Sequence, residues 1–365
     1  MTLHLYFARR FLTVFLLTFG LFAVMLGLID MLEQIRSFDL DGIGMWQILR
    51  LTLLNMPKGL YAILPLITIL ASVVLFLNLS RSSELVVARA AGRSALRTLA
   101  APVIVAWLLG ALFVAGMNPI VAATSKQYEM LASRFKQGST SVLSLSRDAL
   151  WLRQGTDEGQ MVIRAEGTNL DGTELRRASF LTLDPAGNPL SRIEAERAVL
   201  QPGFWQVSGA KIWTLAETIN PELTARNEAL VMLPSDLTVE RIRDSFGTPS
   251  SVGIWELPQF IDQLEEAGFS ARAHRTWLQM ELALPLLMAA MVMVGAGFTM
   301  RHIRFGKTGV MVLMALGLGF AVFFLRNFAQ VLGDRGQIPA ELAAWAPPAT
   351  AILLAVGLLL HLEDG

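Results

Sequence analysis

Six runs without a single charged residue dictate what this chain can become: Phe11–Ile29, Gly59–Ser80, Thr98–Ser125, Leu282–Met300, Thr308–Leu325 and Leu342–Leu360, each 18 to 28 residues long. About 20 apolar residues at ~1.5 Å per residue cross a ~30 Å hydrocarbon core as a helix. A helix satisfies its own backbone hydrogen bonds, which the bilayer interior cannot do for it. The runs therefore predict six transmembrane helices. Composition agrees: of 365 residues, 53% are hydrophobic and 16% charged, with a mean hydropathy of +0.51.

The charges that exist are concentrated. Residues 126–280 hold 36 of the 60 charged side chains, 16 basic and 20 acidic. That block reads as a water-soluble domain inserted between spans three and four. The expected organisation is residues 1–125 for spans one to three, 126–275 for the inserted domain and its connector, and 276–365 for spans four to six. Alternating apolar and polar residues predict strands over Ala149–Arg153, Gln160–Glu166, Ala178–Asp184, Phe204–Leu215 and Glu228–Leu233. Turn signals such as Asp184-Pro185-Ala186-Gly187-Asn188-Pro189 and Gln201-Pro202-Gly203 separate them. The pattern fits an all-β antiparallel sandwich or jelly-roll-like fold. Ser245–Ser251 reads as a connector, and Leu257–Ala267 as an amphipathic helix ended by Gly268 and lying along the outer membrane surface.

Basic residues of short loops accumulate on the cytoplasmic side. With the N-terminus inside, the inner segments carry Arg9, Arg10, Arg81, Arg89, Arg93, Arg97, Arg301, Arg304 and Lys307, and the outer short loops carry Arg36, Arg50, Lys58, Arg326 and Arg335. Nine against five predicts both termini in the cytosol and the inserted domain outside. Arg9-Arg10-Phe11-Leu12 resembles an export signal only superficially, because the apolar segment is too long and no small-residue cleavage site follows Ile29.

Catalytic chemistry finds little to work with. The absence of cysteine excludes thiolate metal sites and thiol nucleophiles. Gly306-Lys307-Thr308 is the tail of a phosphate-binding loop, but Arg301 stands where that motif needs glycine. His4, His274, His302 and His361 lack metal-ligand spacing. Asp157-Glu158 and Glu265-Glu266 are sequence neighbours whose side chains diverge. There is no G-x-S-x-G elbow, no cofactor is implied, and a net charge of zero argues against nucleic acid.

Two sets of residues remain. Between spans two and three, residues 82–92 predict a short helix: Ser82 or Ser83 can cap it, Glu84 suits its first turn, and Gly92 can end it. Leu85, Val86 and Arg89 lie near Ser82 at helical spacing. Such a helix is either a topological loop or a docking surface for a cytosolic partner. Arg36, Lys126 and Arg326 flank apolar runs, where they are either interfacial anchors or receivers of an anionic lipid's phosphates. Glu281, Asn55, Asn78 and Asn118 are expected at interfaces or helix–helix contacts.

Several segments carry a resemblance. They are Ile29-Asp30-Met31-Leu32-Glu33-Gln34-Ile35-Arg36, Met56-Pro57, Leu64-Pro65 and above all Ser83-Glu84-Leu85-Val86-Val87-Ala88-Arg89-Ala90-Ala91-Gly92. Together they resemble the permease subunits of the lipopolysaccharide export transporter, the LptF/LptG (YjgP/YjgQ) family, along the whole chain. Ile338-Pro339 with Ala343-Ala344-Trp345-Ala346-Pro347 is closer to the LptG branch. The resemblance implies a non-catalytic inner-membrane subunit of a Gram-negative bacterium that pairs with a homologous permease, LptF. It implies a dimer of the cytosolic ATPase LptB docked on the coupling helices, with the family's glutamate falling on Glu84. It further implies a bitopic partner, LptC, beside span one, and lipopolysaccharide as cargo, passed to a periplasmic bridge. Arg36 falls in a stretch that contacts lipid phosphates in some members. This chain carries Asp30 where a relative can have lysine. A membrane-anchored periplasmic scaffold or sensor is the alternative, and six spans exceed what an anchor requires. An intramembrane enzyme is disfavoured because the spans lack paired catalytic groups.

Overall fold

The computed structural model describes residues 2–37, 44–90, 94–135, 143–146, 149–156, 159–168, 173–185, 187–215, 221–235, 237–238, 249–266, 270–300 and 308–364. Helices α1 (Thr2–Ser37), α2 (Met45–Ala62), α3 (Leu64–Arg81), α4 (Glu84–Ala90), α5 (Ala95–Leu112) and α6 (Asn118–Phe135) come first, with a π-helical turn, Phe113–Met117, between the last two. Among the described residues seven strands follow: β1 (Leu143–Ser146), β2 (Ala149–Thr156), β3 (Gly159–Thr168), β4 (Glu174–Leu183), β5 (Pro189–Gln201), β6 (Phe204–Thr214) and β7 (Arg226–Pro234). Helices α7 (Leu257–Glu266), α8 (Arg272–Thr299), α9 (Thr308–Asp334) and α10 (Ala340–Asp364) complete the chain. Two compact units result. One is Met1–Gln137, Ser250–Leu257 and Arg272–Gly365; the other is Gly138–Pro249 and Pro258–Ala271.

Among the described residues, six helices of the helical unit are long and apolar enough to cross a membrane, at Leu3–Ser37, Leu64–Arg81, Arg97–Glu129, Arg272–Thr299, Thr308–Asp334 and Ala340–His361. Five overlap the charge-free runs closely. The second starts later, because Ile63 breaks the helix and Pro65 opens α3. Helix α8 is the hub and packs against α3, α5, α9 and α10. Close approach depends on small residues, as expected where apolar burial alone cannot drive helix association. A Cβ added at Gly110 would lie 2.6 Å from the Pro285 Cα. Across the α3–α8 contact, Ser72 Oγ donates to the Val292 carbonyl at 2.9 Å.

Helix α1 contributes one narrow stripe: Phe7, Phe11 and Phe15, spaced by four residues, are fully or nearly fully buried. Phe15 and Phe19 meet the ring of Phe113 at centroid distances of 6.2 and 5.7 Å. The π-helical turn has a consequence just beyond Phe113. An extra residue in a helical turn disturbs the carbonyl ladder, and the Ala115 carbonyl accepts from the Trp255 indole at 3.1 Å. Asn118 Oδ1 takes the Ile254 amide at 2.8 Å. Span three thus holds the segment that precedes α7.

The second unit is built on a seven-stranded antiparallel sheet in the order β1 to β7. Strands β1 and β5 had no counterpart in the alternation reading. The sandwich or jelly-roll-like expectation takes a specific form: each described strand pairs with its chain neighbour, and the sheet curls over its own apolar face. Phe180 on β4 and Trp205 on β6 meet edge to face at 6.2 Å. Gln154 on β2 donates to the Pro234 carbonyl at the end of β7 and accepts from Ser235 Oγ, at 3.0 and 2.7 Å.

A crease crosses the sheet. Glu166, Arg177, Glu196 and Gly209 form one row across β3–β6, and the pairing skips each of them. Arg177 and Gly209 have φ of 47° and 65°. On β4 and β5 two successive residues point outward there, Arg176-Arg177 and Glu196-Arg197, between buried Leu175 and Ala178 and between buried Ala195 and Ala198. The register is the same on both sides of this row, so the unpaired residues interrupt the ladder together and return apolar residues to the same face.

Candidate functional site

Helices α3 and α4 meet at a two-residue joint. The Ser82 amide closes α3 on the Asn78 carbonyl, and the Ser83 carbonyl opens α4 by accepting from the Val86 and Val87 amides. Ser83 makes the turn with φ of 60°, a left-handed conformation that side chains other than glycine seldom adopt. The expected short helix is therefore present over Glu84–Ala90. Gly92, its expected end, lies outside the described residues, as does the side chain of Arg89.

Glu84 does not project freely. Its Oε1 accepts from Arg10 Nη1 at 2.6 Å and from Ser82 Oγ at 2.8 Å, and its Oε2 accepts from the Tyr6 hydroxyl at 2.8 Å. Arg10 also donates to Tyr6, and its guanidinium stands over that ring at 5.6 Å. Tyr6 and Arg10 are one turn apart on α1, so their side chains share a face. Burial acts to raise the Glu84 carboxyl, but the donors Arg10, Ser82 and Tyr6 outweigh it and hold the group below the usual carboxylate range. Within α4, Leu85 is buried whereas Val86 and Val87 are 42% and 68% exposed. Of the expected docking residues, Leu85 therefore anchors the helix inward and Val86 faces out. Val87, Tyr6 and Arg10 were not picked out from sequence; a signal was available in the i, i+4 pairing of Tyr6 with Arg10 beside the first span.

The basic residues separate into two kinds. Arg36, in the last turn of α1, and Lys126, on α6, are both exposed. The surrounding helices are locked together beneath them. Asn55 donates to Asp30, Gln34 donates to the Tyr128 hydroxyl at 2.9 Å, and Met31, Ile35, Tyr128 and Leu131 pack on buried Ile48 and Leu51. Arg326 is placed differently from the expectation of a span end, because α9 continues past it to Asp334. It is half-buried, and its charge acts on Glu281 and Tyr61. Glu281 is fully buried on α8, accepts from the Tyr61 hydroxyl and keeps Oε1 without a hydrogen bond. Arg326 thus lies inside a helix, where its charge acts on a buried acid. Asn55 and Asn118 do make contacts between elements, as expected.

The outer face of the β unit holds a charged depression of 410 Å³ lined in part by Arg164, Glu166, Arg177, Arg192, Glu194 and Lys211. Arg177 pairs with Glu166 at 2.7 Å and Arg192 pairs with Glu194. Two ion pairs thus hold four of these charges, and Lys211 pairs with Glu222.

Comparison with known proteins adds an independent line of argument. Residues 5–361 match the family described as lipopolysaccharide export system permease LptF/LptG. The chain is 23% identical over 370 residues to the lipopolysaccharide export system permease protein LptG of Escherichia coli (strain K12), covering 98% of this chain and 97% of that protein. It is 23% identical over 377 residues to the protein of the same name from Haemophilus influenzae, covering 100% and 99%. Six membrane-competent helices, an inserted antiparallel sheet and a match spanning nearly the whole sequence agree: the chain belongs to the LptF/LptG family of lipopolysaccharide export permeases.

Proposed function

We propose that this chain is the LptG-type permease of an ATP-binding-cassette transporter that extracts lipopolysaccharide from the inner membrane and passes it toward a periplasmic bridge. In this reading both termini and α4 lie in the cytosol and the β unit lies in the periplasm, as the excess of basic residues on the inner side supports. A homologous permease, LptF, completes the lipid cavity. A dimer of the ATPase LptB docks on α4 and its counterpart, and LptC adds a helix beside span one. Energetics support the need for an external motor. Each CH₂ leaving hydrocarbon costs ~0.8 kcal/mol, so a lipid with several acyl chains cannot leave the bilayer unaided.

The observation that carries the proposal is α4 itself. It is a seven-residue helix between two spans, anchored inward by Leu85, with Val86 and Val87 exposed and Glu84 held by three donors. A helix this short has little stability of its own, and its geometry fits a docking element better than a passive loop. Copurification of the ATPase tests this. Val87→Glu is expected to lose most of the bound ATPase while the permease remains folded; undiminished ATPase binding and lipid export would refute docking on this face. For the lipid, Arg36→Glu and Lys126→Glu are expected to weaken photo-crosslinking of lipopolysaccharide, and unchanged crosslinking would remove them from its path.

A further inference from the structure

The contacts of Glu84 say more than docking requires. A carboxylate meant only to greet a partner's cation would be left open, yet this one already receives donors from two other places in the same chain. A carboxylate offers about four lone-pair sites, and Arg10, Tyr6 and Ser82 fill three of them. Two of those donors come from α1, which is separated from α4 in sequence by spans two and its flanks. Helix α4 is covalently continuous with α3 on one side and leads toward α5 on the other. Nothing covalent ties it to α1.

We infer that Tyr6 and Arg10 are positioning residues that strap the docking helix to the inner end of span one, so that a push on α4 moves α1 together with spans two and three. The inference rests on the reading of α4 as the docking helix. Physical reasons favour a strap. Arg10 and Tyr6 approach the carboxylate from one turn of a single helix, which gives two-point rather than pivoting attachment. The Phe7, Phe11 and Phe15 stripe seats the same end of α1 in the bundle, so force reaching Arg10 is received by a helix already held on one side. Beyond that stripe α1 is the least buried of the six spans, and it can shift without tearing apart a packed core.

The test is a charge exchange in the assembled complex, reading copurified ATPase and ATP-dependent release of lipopolysaccharide from proteoliposomes. Arg10→Glu is expected to keep ATPase binding within about twofold of wild type while lipid release falls roughly tenfold, as loss of a charge-assisted pair at a working joint predicts. Combining Arg10→Glu with Glu84→Arg is expected to restore release to within about threefold, the coupling that a double-mutant cycle isolates. Arg10→Lys, which keeps the cation, should retain about half of the release, and Tyr6→Phe should lower it about twofold. Wild-type release by Arg10→Glu would overturn the strap, as would an exchange no better than Glu84→Arg alone; in either case ATPase still bound to Arg10→Glu would leave the docking reading standing. Failure of the wild-type chain to bind the ATPase would bring down both.

Discussion

Helices α8 and α1 are equally suited to a membrane by composition and opposite in their surroundings. Of the most apolar window of α8, 72% of residues are buried within the unit; of that of α1, 6% are. Both windows carry high hydropathy, 2.0 and 2.5, so hydropathy does not separate them. Packing detail does. Helix α8 meets α3 and α10 through its own Gly295 and Gly297 and α5 through Gly110 of that helix, and it buries a charged residue, Glu281. Helix α1 brings four phenylalanines to one seam and leaves Leu17, Leu21, Val24 and Leu28 exposed. In a bilayer such a face is covered by lipid or by another protein. The contrast separates a helix packed on most of its sides from one packed along a single seam.

The sharpest way to break this comparison is one substitution placed on each side of it. At Gly110, which faces α8, leucine is expected to abolish accumulation of folded protein, because even a Cβ would meet the Pro285 backbone and overpacking costs about 1–3 kcal/mol per misfit before the rest of the side chain is placed. The same change at Gly20 on α1, where nothing lies within 4 Å, should leave the isolated chain as stable or up to about 1 kcal/mol more so, by helix propensity. Size-exclusion profiles and Tm in detergent read both, and equal damage at the two sites would erase the distinction. Next in size is Glu281→Leu, which leaves the buried Tyr61 hydroxyl without its acceptor and removes the charge that acts on Arg326; an unsatisfied buried donor costs about 1–3 kcal/mol, more where a charged group is involved. A Tm unchanged by Glu281→Leu would contradict the buried Tyr61–Glu281 contact. Phe15→Ala probes the seam of α1 and is expected to cost about 3 kcal/mol, at the low end for a buried aromatic, while Leu21→Ala on the exposed face should stay within about 0.5 kcal/mol.

The smallest expected effect concerns pH. In the folded chain the Glu84 carboxyl sits below its ordinary value of 4.5. The unfolded state therefore binds more protons in acid, so the contribution of the strap is fully present above that value and is lost as pH falls through the lower folded one. Between pH 8 and 6, hydrogen exchange of the α4 amides, corrected for intrinsic rate, should show constant protection. A decline across that window would mean that Glu84 is not held as described.

Much of this architecture was legible because hydrocarbon imposes a requirement that no other environment does: a long run without charge. The β unit was less legible, for a physical reason that β5 illustrates. Its inward residues at the crease are the small Ala195 and Ala198, its outward ones are Arg192, Glu194, Glu196 and Arg197, and its alternation changes phase between Ala195 and Ala198. A period-two pattern interrupted by one residue no longer reads as a strand. The same phase change hid the first four residues of β4, so that only Ala178 onward was visible. At the candidate site, Glu84 and the short helix were legible from capping and charge. Its partner Arg10 was not, because the two are 74 positions apart and meet only once α1 and α4 are folded against each other. Arg326 shows the reverse error of scale: a charge beside an apolar run looks like an anchor until the helix is seen to continue eight residues further, to Asp334.

The central proposal is that an external ATPase drives these helices through α4. Proteoliposomes carrying the purified permease pair, loaded with lipopolysaccharide, test it by measuring nucleotide hydrolysis and lipid release with and without the ATPase. The account predicts neither activity from the permeases alone, and both once the ATPase and ATP are supplied. Hydrolysis by the permeases alone, or lipid release without the ATPase, would contradict it.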